Sequence, residues 1–214
     1  MGLNNNFKQF YPRDVEIKAR DIKYQGFFRI DQYQLKHRLF SGNWSNFFYR
    51  EIFERGDAVI LVPFDSKSQQ VLLIQQFRAG AVRTEDNPWC IEFIAGMFEE
   101  NESPIEVAIR EAQEEAELDI KREDITHVMN YLSSPGGTSE KLYMYIADID
   151  LTNVKSGTVA GLDDENEDIK SYKVSLDVAL QWLADGKINN ASTIIGLQWL
   201  AINANKLAET PDQE

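Results

Sequence analysis

The sequence is poor in the residues that carry soft-metal and redox chemistry, with one cysteine, Cys90, and two histidines, His37 and His127, in 214 positions. A single cysteine closes no intrachain disulfide, so a reducing, cytoplasmic compartment is expected. In the apolar run from Trp89 to Ile94, Cys90 reads as a small core residue more readily than as a nucleophile. The histidines stand isolated, and neither receives a role. Positive charge is also short, at 22 Lys and Arg against 35 Asp and Glu, a net charge of −13. That balance argues against nucleic acid or an anionic membrane surface as a partner, and a small anionic substrate would need local cations. No apolar run approaches the length of a membrane span, and the first thirteen residues lack a signal core. A P-loop, a nucleophile elbow, internal repeats and low-complexity linkers are all missing.

What is present suits a folded chain, because hydrophobic residues make up 43% and aromatics 11%, within the ordinary globular range. The length fits one sizeable domain with an added subdomain. Residues 15–55 alternate apolar with polar positions around a Ser-Gly-Asn turn, which reads as an antiparallel β-meander. Two apolar runs, AVILVPF (58–64) and VLLIQQF (71–77), read as core strands of a mixed sheet. Residues 89–95 read as a further strand ending at Gly96, and a helix is expected over 104–116, with Ser103 as N-cap, Pro104 in the first turn and Glu106 completing a capping box. Strands are expected at 127–132, 141–149 and 169–174, and two helices close the chain, one capped by Ser175 and stopped at Gly186, the other over about 190–208. The expected organisation is an N-terminal β subdomain (1–56), a main domain (57–209) and a frayed tail (210–214).

The segment that carries chemistry is GMFEENESPIEVAIREAQEEAEL, residues 96–118. On a helix, Glu111 and Glu115 lie four apart on one face, while Ile105, Ala108, Ile109, Ala112 and Ala116 fall on the other and dock on the sheet. Arg110 can pair with Glu114 across one turn and leave the other two acids free. Hard oxygen donors with room for water and phosphate suit Mg²⁺, with Mn²⁺ as an alternative ion. Glutamate clusters arise more often as solvated helix surface; here they come with a capped start and a preceding glycine loop.

Gly96, five residues, Glu102, seven residues, then Arg110-Glu111-Ala112-x-Glu114-Glu115 and Leu118 resembles the Nudix box. One position departs: Glu117 stands where the family has glycine, so the helix either lengthens or turns left-handed there. The resemblance extends over most of the chain to the ADP-ribose pyrophosphatase branch of that family, through the GFF, YREIFERG, SSPGGTSE, LDDENEDI and INNASTIIGLQWL segments. It implies an α/β/α sandwich around a mixed sheet, and a homodimer whose N-terminal β subdomains are exchanged so that both chains build each pocket. It further implies metal ligation by the Ala95 carbonyl, Glu111, Glu115 and Glu167, with Glu165 as general base. Several Mg²⁺ ions would neutralise the pyrophosphate and acidify a water whose proton a mobile carboxylate accepts, giving AMP and ribose 5-phosphate from ADP-ribose.

The implied substrate pocket comprises Phe27, Phe28, Arg50, Glu51, Arg55, Arg78, Met97 and the loop carrying Ser134, Gly136, Gly137, Thr138, Ser139 and Glu140. Each has a plainer reading. Arg50, Arg55 and Arg78 could clamp phosphates or form surface ion pairs. One of two adjacent strand aromatics faces the core, and a tight turn alone would use the Ser-Pro-Gly-Gly residues. Other readings are a different substrate such as GDP-mannose, a structural interaction protein, or a silent nucleotide-binding module. The last would be marked by loss of Glu111 or Glu115, and both are present.

Overall fold

The structure is a computed structural model and describes residues 7–208. The chain divides into two compact units, one made of the residues up to Gly56 together with Leu132–Glu140, the other of Asp57–Tyr131 and the residues from Lys141 onward. The expected tail, 210–214, lies outside the described residues.

The first unit is a three-stranded antiparallel sheet of β1 (Val15–Gln25), β2 (Arg29–His37) and β3 (Phe48–Glu54), in that order. Asp31 of β2, fully buried, pairs with the side chains of Arg20 from β1 and Arg29 from its own strand, so one ion pair ties β1 to β2. The alternating pattern read as continuous strand is interrupted at Gly26, Phe27 and Phe28. There the chain reverses, with the Gly26 N–H donating to the Phe28 carbonyl at 2.9 Å. Both aromatics therefore belong to a turn and not to a strand.

The second unit is built on a mixed sheet in the order β10 (Val159–Ala160), β11 (Ile169–Ser175), β5 (Gln70–Phe77), β4 (Ala58–Asp65), β9 (Lys141–Asp148) and β8 (Ile125–Leu132). The two apolar runs form β4 and β5, and β4 pairs in parallel with β9. Alternate residues of these strands feed two cores. Ile60, Val62, Phe64 and Leu73 pack under α2 (Leu176–Ala184) and α3 (Ala191–Ala208), while Val59, Leu61, Leu72 and Ile74 pack under α1 (Pro104–Ala116) through Val107, Ala108 and Ala112. This two-sided burial is why the runs read as continuous apolar stretches and produces the α/β/α sandwich. Gly196 of α3 lies so close to the sheet that an added Cβ would sit 2.6 Å from the Phe93 ring.

Residues 89–95, expected as one strand ending at Gly96, belong to two. β6 (Trp89–Glu92) pairs with β5, and β7 (Ile94–Met97) pairs with β4. Between them the Phe93 N–H leaves the sheet and donates to Thr193 Oγ1 of α3 at 3.1 Å. That step from one partner strand to the next carries Ala95 and Met97 over α1, where they meet Glu115 and Arg110.

Candidate active site

The helix α1 begins as its sequence dictates, with the Glu106 carboxylate accepting the Ser103 N–H at 2.8 Å and Pro104 supplying the preset φ of the first turn. Arg110 is the hub of the segment. Its guanidinium donates to Glu102 at 2.9 and 3.1 Å, to Glu111 at 2.8 Å, to Glu114 at 2.9 Å and to the Met97 carbonyl at 3.2 Å. The expectation that Arg110 pairs with Glu114 and leaves Glu111 free is therefore corrected, since one guanidinium nitrogen serves both. These bonds, Glu102 first, hold the Arg110 pKa far above its ordinary value.

Glu115 is corrected as well, because it lies on the buried side of α1, only 3% exposed, beside Ala112 and Ala116. One of its oxygens accepts the Ala95 N–H at 3.0 Å and the other the Gln76 side-chain amide at 3.2 Å. Burial pushes the Glu111 carboxyl up to about 7, opposed by Arg110 and reinforced by the charges of Glu114 and Glu167. Burial pushes Glu115 up to about 8, opposed by the Ala95 N–H and reinforced by Glu111. A Cβ at Gly96 would overlap the Glu111 side chain, so any larger residue there would displace that carboxylate.

The acidic loop is tied to the same helix. The Gly161 N–H donates to the Glu114 carbonyl at 3.0 Å, and Glu167 turns back to accept the Leu162 N–H at 3.3 Å. Gly161 has φ +109, and a Cβ there would meet Glu167 Cβ at 2.7 Å. Glu165 stands exposed at the end of a 3₁₀ turn, Asp163–Glu165. Arg78 pairs with Glu92 at 2.7 Å, and its charge also acts on Glu115. Of the expected residues, Ala95, Met97, Glu111, Glu115, Glu167 and Arg78 thus share one neighbourhood in the second unit.

The remaining expected residues belong to the first unit. Phe28 stacks edge-on against Phe53 and beneath Arg55, whose guanidinium pairs with the buried Glu140 at 3.3 Å. Phe27 packs on Phe28 and is 89% exposed. The loop is fastened to β3: Phe53 N–H donates to the Gly137 carbonyl (2.8 Å), Thr138 Oγ1 to the Phe53 carbonyl (3.0 Å), and Ser139 Oγ to Glu54 (2.6 Å). The Ser134 carbonyl accepts both the Gly137 and the Thr138 N–H at 3.0 Å. Gly136 and Gly137 have no left-handed φ, and an added Cβ would meet nothing within 4 Å. Neither turn geometry nor packing within the chain requires glycine at these two positions. Arg50, which lies over the Phe48 ring, and Glu51 are both exposed on β3.

Sequence reasoning missed Gln76 and the Gly161 tether, because both partners are distant in the chain. The signal available was a glutamine pair inside the apolar run VLLIQQF.

Among the described residues no three His, Cys, Asp or Glu side chains are already disposed around a metal position. Glu111 is turned onto Arg110, and Glu115 onto the Ala95 N–H and Gln76. The donor chemistry nevertheless fits a hard divalent cation. All the candidate ligand atoms are oxygens, and a cation would relieve the half-buried Glu111 and the buried Glu115, whose ionisation is suppressed by desolvation and by neighbouring carboxylates.

The arginine of α1 thus holds three glutamates against a mixed sheet, with an acidic loop tied to the helix near its end. The chain belongs to the Nudix family: the NUDIX domain model matches residues 54–197. It is similar to the ADP-ribose pyrophosphatase of Escherichia coli (strain K12), 48% identical over 198 residues that cover 92% of this chain and 93% of the relative. The ADP-ribose pyrophosphatase of Haemophilus influenzae is 37% identical over 209 residues, 96% of this chain and 94% of the relative. The GDP-mannose pyrophosphatase of Shigella flexneri is 30% identical over 156 residues, 72% and 78% of the two chains. The solved structure of an ADP compounds hydrolase shares the fold, with a TM-score of 0.64 and 19% identity, covering 92% of this chain and all of that one.

Proposed function

We infer that this Nudix hydrolase is an ADP-ribose pyrophosphatase that uses Mg²⁺, with Mn²⁺ as an alternative ion, to split ADP-ribose into AMP and ribose 5-phosphate. The single observation that carries the chemistry is the half-buried Glu111 and the buried Glu115 on adjacent turns of α1, their carboxyls pushed up to about 7 and about 8, beside the tethered acidic loop. The substrate follows from the near-full-length likeness to two ADP-ribose pyrophosphatases, against a shorter and lower likeness to a GDP-mannose pyrophosphatase. Nudix ADP-ribose pyrophosphatases in general depend on a divalent metal.

Glu111, Glu115, Glu167 and the Ala95 carbonyl would hold the cations, which when bound neutralise the pyrophosphate and polarise phosphorus. Arg110 orients Glu111 and, through Glu102 and the Met97 carbonyl, holds the glycine loop against α1. Glu165, on its exposed turn, accepts the proton of the attacking water. Arg50, Arg55 and Arg78 are assigned to the phosphates, and Phe27 and Phe28 to the adenine face. Glu51, Met97, Ser134, Gly136, Gly137, Thr138, Ser139 and Glu140 complete the proposed substrate contacts. The assembly proposed is a homodimer in which only the N-terminal subdomains (1–56) are exchanged between the main domains (57–209), acting in the cytoplasm.

Incubating the purified protein with ADP-ribose and Mg²⁺ and identifying the products tests this reading. AMP with ribose 5-phosphate supports it; ADP with free ribose, or no cleavage, contradicts it. Roles separate by substitution: Glu165→Gln and Glu115→Gln should each abolish turnover, and full turnover in Glu165→Gln alone would remove the base assignment while leaving the metal assignment.

A further inference from the structure

We propose that Gln76 is a positioning residue for Glu115, and that its side-chain amide sets the affinity of the carboxylate cluster for a divalent cation. The inference rests on the reading of Glu115 as a metal ligand.

Gln76 lies near the end of β5, beyond the fully buried run Val71, Leu72, Leu73 and Ile74, and is itself 5% exposed. An amide in such a place costs about 1–3 kcal/mol unless it is hydrogen-bonded. Its Nε2 finds Glu115 Oε1 at 3.2 Å, across 39 residues of sequence. The other carboxylate oxygen takes the Ala95 N–H of β7 at 3.0 Å. Two strands therefore grip one carboxylate carried by α1, one donor to each oxygen, and this defines the plane of the group. Each oxygen keeps a further acceptor direction for a cation.

The donors on the two glutamates differ in kind. Glu111 is held by the guanidinium of Arg110, which compensates its charge, whereas both hydrogen-bond donors on Glu115 are neutral amides. An amide fixes the carboxylate without competing electrostatically with a cation; an ammonium or guanidinium in its place would compete. Partners behind a ligand that act in this way are worth about 10- to 100-fold in metal affinity.

The test is Mn²⁺ binding to the metal-free protein, read from loss of the free-ion EPR signal without substrate, in parent, Gln76→Met and Gln76→Asn. Methionine keeps the volume and removes the donor; asparagine is the milder change, keeps the amide one methylene short, and carries the test if the methionine variant does not fold. Weakening of Mn²⁺ affinity by about 10- to 100-fold, with the metal-free melting midpoint within a few degrees of the parent, is expected. Parent-like Mn²⁺ affinity in the folded variants overturns the proposal. So does a lowered metal-free midpoint with unmoved affinity, which is the signature of a merely structural glutamine. Failure of the parent itself to bind Mn²⁺ would overturn the metal-ligand reading and this proposal together, and parent binding distinguishes the two failures.

Discussion

Replacing Glu117 by glycine should make the protein more stable, although it removes a charged side chain and adds the most flexible residue. α1 ends at Ala116, and Glu117 sits at φ 53, ψ 33 in the left-handed region. That conformation lets the chain fold back across the helix end, so that the Leu118 N–H reaches the Ala112 carbonyl at 3.0 Å and the Leu118 side chain is buried to 4% exposure. A side chain in the left-handed region costs about 1–2 kcal/mol. Glycine removes that cost but frees the unfolded chain, giving back about 0.4–1 kcal/mol. Midpoint against midpoint, the net gain is about 0.8 kcal/mol, or roughly 2–3 °C in melting midpoint for a domain of this size. Glu117 is exposed, so truncation forfeits no packing. Glu117→Val should go the other way by about 1 kcal/mol or more, since a β-branched residue is the least tolerant of this backbone. Urea denaturation midpoints of parent and both variants check the pair. A glycine variant at or below the parent, or a valine variant above it, would refute the strained-cap reasoning.

Three further outcomes are expected. Gly161→Ala forces a Cβ against Glu167 at a φ of +109, so it should displace the acidic loop from α1, lower hydrolysis at least tenfold and cost about 1–3 kcal/mol; a variant with the parental rate contradicts the tether. Arg110→Lys replaces a fork that serves Glu102, Glu111 and Glu114 with one ammonium, and should destabilise by about 1–3 kcal/mol in urea denaturation. The third concerns pH. Glu111 and Glu115 have folded pKa values raised to about 7 and about 8 from 4.5, so between those limits the folded chain binds more protons than the unfolded one. Their contribution is fully present below about pH 4.5 and is lost as pH rises through 7 and 8. Melting of the chelated protein should therefore show this loss on going from pH 6 to pH 9, and Mg²⁺ should reduce it; a midpoint flat in pH without metal would contradict the buried-pair electrostatics.

Features written in neighbouring residues were legible from the sequence. The Ser103-Pro104-Glu106 cap is a contact within one turn, and the β4 and β5 runs declare burial on both faces by composition alone. The spacing of Arg110, Glu111, Glu114 and Glu115 likewise brought these side chains together on α1. What stayed hidden depends on distant partners. The break between β6 and β7 is caused by Thr193, 100 residues from Phe93, and the donor on Glu115 comes from a strand 39 residues earlier. The burial of Glu115 also ran against its type, because local amphipathicity assigns a glutamate to solvent and only the strands over α1 reverse that. The Gly26-Phe27-Phe28 turn was missed because apolar-polar alternation continues on both sides of it.

The most direct test of the account is the rate of hydrolysis of ADP-ribose beside that of GDP-mannose and other nucleoside diphosphate sugars, with Mg²⁺ and with a chelator. AMP and ribose 5-phosphate are expected from ADP-ribose, formed much faster than any product from GDP-mannose and abolished by chelation. Preference for GDP-mannose would contradict the substrate assignment, and turnover that survives chelation would contradict the assignment of Glu111 and Glu115 to a divalent cation.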